Sequence, residues 1–139
     1  MGYNAADKTA LIVDSGNEPF TGTNLPTIGL AVVSVLQHLP ETANKFLNIS
    51  SFTTTQNEIL SIFEQETGSK WTVTKLKSED IQKEGDEKLA KGDFSSFVNF
   101  LRVLILADGK GQARTTPQAN DLLGLPKEDL KETIKAALK

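Results

Sequence analysis

The sequence predicts an α/β (α+β) fold in which one small sheet of three to four short strands is covered by about five helices. Three observations carry that expectation. Short runs of β-compatible residues alternate with segments whose apolar residues recur at helical spacing. Clusters of Gly, Pro, Asn and Ser separate the two kinds of segment, and two helical patterns close the chain. At 139 residues the chain is one domain in size, long enough to bury a core and too short for a cofactor domain joined to a substrate domain.

Thr9 to Asp14 (TALIVD) is the first strand. Ser15-Gly16-Asn17-Glu18-Pro19 follows as a cluster of turn formers, and Phe20 to Thr23 is a short second strand, so the stretch reads as a hairpin-like turn. Pro26 stands near the start of a helix whose Ile28, Val32, Val35, Leu36 and Leu39 share one face; it ends at Leu39 because Pro40 cannot continue it. Lys45 to Ser50 (KFLNIS) is the next strand candidate. Thr55 and Glu58 then have the spacing of a capping box, opening a helix with Ile59, Ile62 and Phe63 inward and Gly68 as its stop.

Trp71 to Lys77 alternates Trp71 and Val73 with Thr72 and Thr74, the period of a half-buried strand. Ser78, followed by Glu79 and Asp80, caps a mostly polar helix that Gly85 weakens in the middle. Asp93 can cap a helix from Phe94 to about Leu106, apolar over so much of its surface that it needs neighbours on several sides. A polar loop spans Asp108 to Asn120. Pro126 introduces a last helix with Leu130, Ile134, Ala137 and Leu138 on one face and Lys139 at its negative end.

Charge and composition narrow the function. Fifteen basic against 18 acidic side chains give a net charge of −3, and no run of Lys or Arg offers a footprint for nucleic acid. The absence of cysteine excludes disulfides, thiolate chemistry and zinc held by Cys. Met1 to Lys8 is polar, and no apolar run reaches membrane-spanning length, so the expectation is a cytoplasmic chain with no membrane partner.

The only G-x-G is Gly109-Lys110-Gly111. A phosphate-binding turn of this kind needs a strand before it, a helix after it and a third small residue; here a helix precedes, a loop follows and Arg114 takes the third position. It reads as a loop, and no cofactor is expected to bind here. No metal is expected either: His38 is the only histidine, in the last turn of a helix, where its ring suits the dipole and a nearby carbonyl.

Candidate catalytic groups are Asp14 and Glu18 beside a strand end, where a plain turn explains them equally well, together with His38 and Tyr3. The candidate wall for a small hydrophobic organic ligand is the aromatic helix with Phe94, Phe97, Phe100, Leu101 and Leu104, residues that a core or a subunit contact would use as well. Arg102 lies on its polar side with Ser95 and Asn99.

Several stretches, in order, carry a family resemblance: Ile12-Val13-Asp14-Ser15-Gly16-Asn17, Thr27-Ile28-Gly29-Leu30-Ala31-Val32-Val33, Asn44-Lys45-Phe46-Leu47-Asn48-Ile49 and Thr55-Gln56-Asn57-Glu58-Ile59-Leu60. Further on come Glu66-Thr67-Gly68-Ser69-Lys70-Trp71, Lys91-Gly92-Asp93 and Leu123-Gly124-Leu125-Pro126-Lys127-Glu128-Asp129-Leu130. With them the chain resembles the C-terminal, substrate-side part of NmrA-like and isoflavone-reductase-like proteins, the substrate-binding subdomain of atypical short-chain dehydrogenases.

The resemblance implies that the Rossmann domain holding NADP(H), and the catalytic lysine with it, have no counterpart in these residues. It also implies a ligand-facing wall drawn from Phe20, Thr21 and Thr23 and from the aromatic helix. An apolar surface left without its domain must be covered, most simply by a homodimer. The expected function is a cofactor-independent cyclase or isomerase of secondary metabolism that binds a small molecule; the alternatives are a non-catalytic binding or regulatory module and a part of an NADP-dependent reductase that needs its Rossmann half.

Overall fold

The computed structural model describes residues 2–111 and 117–138; Arg114 and Lys139, both given roles above, lie outside the described residues. Within them the chain runs β1 (Tyr3–Asn4), β2 (Thr9–Val13), β3 (Phe20–Gly22), α1 (Leu25–Gln37), α2 (Leu39–Thr42), β4 (Phe52–Thr54), α3 (Gln56–Thr67), β5 (Thr72–Leu76), α4 (Ser78–Ala90), α5 (Ser96–Leu106) and α6 (Leu130–Ala137). The α/β class is as expected. The strands, however, divide between two small sheets.

In the first, β2 is central, antiparallel to β1 and parallel to β5; in the second, β3 lies antiparallel to β4. β2 and β3 therefore do not form a hairpin. Asp14 turns the chain out of the first sheet in the left-handed region, at φ 49°, which Asp tolerates better than most residues, and Pro19 has no amide to give a ladder. β1, two residues long, is too short to leave a periodicity and went unread.

Lys45 to Ser50 is not a strand. Among the described residues it makes only an isolated bridge, Asn48 to Gln118. Its polar groups are met by other means: Ala119 N donates to the Asn48 carbonyl (2.7 Å), and the Asn120 side chain accepts from Ser50 N (3.1 Å) and donates to Ser50 O (2.6 Å). Pairing begins at Phe52.

The helix ends fall where local chemistry puts them. Thr55 caps α3, accepting from Glu58 N at 3.1 Å, and Gly68 closes it; the Glu58 carboxylate takes the Thr54 hydroxyl (2.7 Å) in place of a return bond. α1 stops at Gln37, and Pro40 belongs to the one-turn α2. Ser78 lies inside α4, not at its cap, and its amide is bound by the distant Asp14 carboxylate at 2.8 Å. α5 starts later than expected, with Asp93 taking the Ser95 amide (2.9 Å), and α6 starts at Leu130, capped by Asp129, rather than near Pro126.

The core lies between β2 and the helices. Ile12, Val13, Phe20, Ile59, Trp71, Ile81, Leu106 and Ile134 are buried in it, with Ile62 and Leu130 packed at its margin. Tyr3, Phe63 and Trp71 stack, their centroids 5.4 and 4.8 Å apart, within the range of favourable aromatic pairs. Gln56, 2% exposed, continues the β2 ladder with its side chain: Oε1 accepts from Val13 N (3.0 Å) and Nε2 donates to Leu11 O (3.1 Å).

Two helices are inverted relative to simple amphipathic expectation. α1 buries Thr27, Ala31 and Ser34 and exposes Ile28, Val32 and Leu36. α5 buries Ser96, Asn99 and Leu106 and exposes Phe97, Leu101 and Leu104, with Phe94 exposed just before it. The reason at α5 is close approach to α4: a Cβ at Gly85 would lie 2.6 Å from the Phe100 ring and 3.1 Å from Asn99 Cβ. Asn99 is satisfied there, donating to Ile81 O (3.3 Å) and accepting from Lys88 Nζ (3.3 Å). β5 is likewise largely exposed along its length, Val73 included, because it is an edge strand.

Candidate functional site

Each catalytic candidate has a structural engagement. The Tyr3 hydroxyl donates to Gln56 O at 2.7 Å, and burial pushes its pKa well above the ordinary tyrosine value. His38 Nδ1 lies 2.8 Å from the Ser34 carbonyl in its own last turn and 3.3 Å from Ser34 Oγ. Asp14 accepts from Ser78 N (2.8 Å) and Asp108 N (3.3 Å), which joins β2, α4 and the turn after α5. Burial raises the Asp14 pKa, but the Ser78 amide and hydroxyl and the Asp108 amide outweigh it, and the net shift is downward. Glu18 accepts from Gly109 N (2.8 Å) and Gly111 N (2.9 Å).

Asp14 and Glu18 thus belong to one polar cluster at the carboxyl end of β2. Ser15 Oγ donates to Asp108 at 2.6 Å, and Asn57 holds the turn from α3 by donating to Ser15 O (2.9 Å) and Asn17 Oδ1 (2.8 Å). Tyr3 and His38 form no hydrogen bond with this cluster.

The binding-wall candidates divide. Phe20 is buried at 2% exposure and faces the core, whereas Thr21 and Thr23 are half-buried, Thr23 donating to Ile49 O (3.1 Å). Phe94, Phe97, Leu101 and Leu104 form an outward face on α5, with Phe94 83% and Phe97 65% exposed; Phe100 is half-buried beside Gly85.

A concavity the sequence reading missed lies on α1. Ile28, Val32, Val35 and Leu36 line one side, Leu47, Ile49 and Leu123 the other, enclosing about 230 Å³ with an almost wholly apolar lining. Its signal was present in two separate patterns, the apolar stripe of α1 and the alternation of Leu47 with Ile49, but neither says that the two meet. Leu123 is fixed there by Ser34, whose hydroxyl donates to its carbonyl at 2.8 Å.

Below α1 a wider groove of about 600 Å³ is formed by Asn24, Leu25, Pro26, Glu128, Thr133 and Ala136, among others. Glu128 accepts from Ser51, Thr27 and Asn24, and these bonds, in that order, hold its carboxyl below the ordinary range. The Leu-Pro-Lys-Glu stretch therefore carries the carboxylate that ties α6 to α1 and β4.

Among the described residues no cluster of His, Asp or Glu is arranged to hold a metal ion, and no helix is long and apolar enough to cross a membrane. Nor do these residues fit a dinucleotide pyrophosphate. The two amides of the only G-x-G turn face the Glu18 carboxylate, and Asp14 and Asp108 add negative charge beside them.

Oxidoreductase poxI of Penicillium oxalicum is 36% identical over 142 residues, covering 99% of this chain and 45% of that protein. This chain is homologous to one part of an oxidoreductase. The chain spans about half the length of the curated relatives it matches. The fold is that of part of an isoflavone reductase, TM-score 0.69 at 18% identity over 93% of this chain and 43% of that one. A Citrobacter triphenylmethane reductase solved with NADP(H) gives TM-score 0.61 at 20% identity, over 96% and 46%. No family model matches the chain.

Proposed function

We propose that this chain is the substrate-side part of an oxidoreductase acting on a small hydrophobic organic compound, with the hydride-carrying cofactor held by residues beyond it. The observation that carries the reading is the inversion of α1 and α5: both turn large apolar side chains outward, and those of α1 line a lipophilic groove. An exposed apolar patch of this extent marks a surface that something covers. The groove suits an aromatic or terpenoid-sized fragment, because apolar walls with few polar groups are how proteins hold such ligands. Tyr3, Asp14, Glu18 and His38 support the same reading, since all four are committed to internal hydrogen bonds.

The test is complementation. The purified chain should bind a hydrophobic reporter dye and leave NADPH unoxidised with aromatic ketone substrates; adding the other half of a relative such as poxI should produce a complex that oxidises NADPH. NADPH oxidation by the chain alone, or no association with the added half, would overturn the proposal.

A second reading, cofactor-independent isomerisation or cyclisation of a secondary metabolite, rests on Glu128, whose carboxylate borders a groove beside Leu25 and Pro26; Ser51, Thr27 and Asn24 hold it below the ordinary range, which suits it to fix or stabilise a cationic substrate group and not to act as a strong base. Conversion of substrate with no nicotinamide present, abolished in Glu128→Gln, would select it over the first.

A further inference from the structure

The sheet built on β2 has two sides, and the fold treats them differently. On the β1 side the backbone of β2 is closed. Leu11 N donates to Gly2 O at 2.8 Å, Gln56 Oε1 accepts from Val13 N at 3.0 Å, and Gln56 Nε2 donates to Leu11 O at 3.1 Å. A buried side-chain amide there stands in for a further strand.

The other side ends in β5, and it is open. Thr72 N donates to Lys8 O and Asp14 N to Leu76 O, both at 2.9 Å, which fixes the alternation along the parallel ladder. Thr72, Thr74 and Leu76 bond to β2, so the N–H and C=O groups of Val73 and Lys75 point away from it. Among the described residues nothing pairs with them. Thr72, Val73, Thr74 and Lys75 are exposed as well, which leaves both faces of the strand accessible beside its edge. No Pro or Gly interrupts the run, and Thr and Val suit a paired strand.

We propose that β5 is a docking edge that takes an extended acidic segment of a partner protein as an added strand, with carboxylates beside Lys75 and Lys77. Main-chain hydrogen bonds to Val73 and Lys75 supply the pairing, and side chains on the facing strand select the partner. Charge determines which partner fits. Val73, Lys75 and Lys77 share one face by alternation, and neither lysine forms an ion pair among the described residues. Glu79 and Asp80 lie past Lys77, in the first turn of α4. A second copy is a poor occupant. Antiparallel pairing about Thr74 would set each Lys75 opposite Val73 and place the two Lys75 side chains on one face as diagonal neighbours, about 7–8 Å apart. Lysine on an edge strand keeps like copies apart in this way. A strand with carboxylates at those positions turns the repulsion into attraction. The edge shares no residue with the groove on α1, and its use does not depend on hydride chemistry.

The experiment uses the full chain, amide NMR and two short peptides as probes. One is acetyl-Glu-Thr-Glu-Thr-Val-Thr-amide, which sets Glu against Lys77 and Lys75 in antiparallel register; the other has Lys in place of Glu. In the free chain the Thr74 and Leu76 amides should be protected from exchange and those of Val73 and Lys75 should not. The acidic peptide should shift the Val73 and Lys75 amides saturably and slow their exchange, an effect that added salt weakens. The basic peptide should shift them about fivefold less. Lys75→Glu, at an exposed position, should reverse that preference while Thr74 and Leu76 stay protected, which reports an intact sheet. Val73 and Lys75 amides already protected in the free chain, a response to the acidic peptide that is absent or centred elsewhere, equal responses to both peptides, or no reversal in the variant would each overturn the proposal.

Discussion

Asp14 is read in the sequence as either a strand-end carboxylate or a turn former, and the fold uses it as a long-range cap for α4. An anion at a helix N-terminus is favoured by the unpaired amides and the dipole. Because its folded pKa is depressed, its contribution is present in full above the unfolded value near 4 and is lost as pH falls through the lower folded value. Asp14→Asn keeps an acceptor and tolerates the left-handed backbone, so it should cost about 0.5–1 kcal/mol at neutral pH. It should also flatten the acid limb of the stability curve, measured by urea unfolding between pH 2 and 7; an unchanged acid limb would remove the capping role. Residue types at turns and caps were legible, but their partners were not: Ser78 and Gly109 lie far from Asp14 and Glu18 in the chain, and no local pattern encodes such a meeting.

At the scale of elements, α3 was legible almost to the residue, because its cap and its stop are both local: Thr55 at one end, Gly68 at the other. α1 and α5 were legible as helices and misleading as faces. Periodicity locates an apolar stripe but does not say which stripe meets the core, and here small and polar residues do. Gly85 illustrates the point. Read from sequence it weakens α4, yet in the fold it lets α5 approach. Gly85→Ala should therefore destabilise the chain by about 1–2 kcal/mol, since overpacking outweighs the helix propensity gained. Chemical denaturation would decide, and a stabilised variant would mean that α4 and α5 separate without cost.

For the whole molecule, class and approximate element order were legible from alternation alone, while the division into two sheets was not, because pairing partners are a tertiary property. The outward apolar faces also belong at this scale. If nothing else covers them, two copies should cover each other, and the isolated chain should self-associate at micromolar concentration. Phe97→Glu, on an exposed position, should shift sedimentation toward monomer with a change in Tm of no more than about 2 °C, as expected for a surface substitution; a monomer before the substitution, or a large loss of Tm after it, would argue against this. The parallel pairing of β2 with β5 has a consequence in time. During ribosomal synthesis β2 can meet β1 at once, but its β5-facing edge emerges long before β5 exists and must wait unpaired while α1, α2 and α3 are made. Nascent chains are then most exposed to misassembly in that interval, and slowing translation before Leu76 should lower the yield of folded protein more than slowing it afterwards.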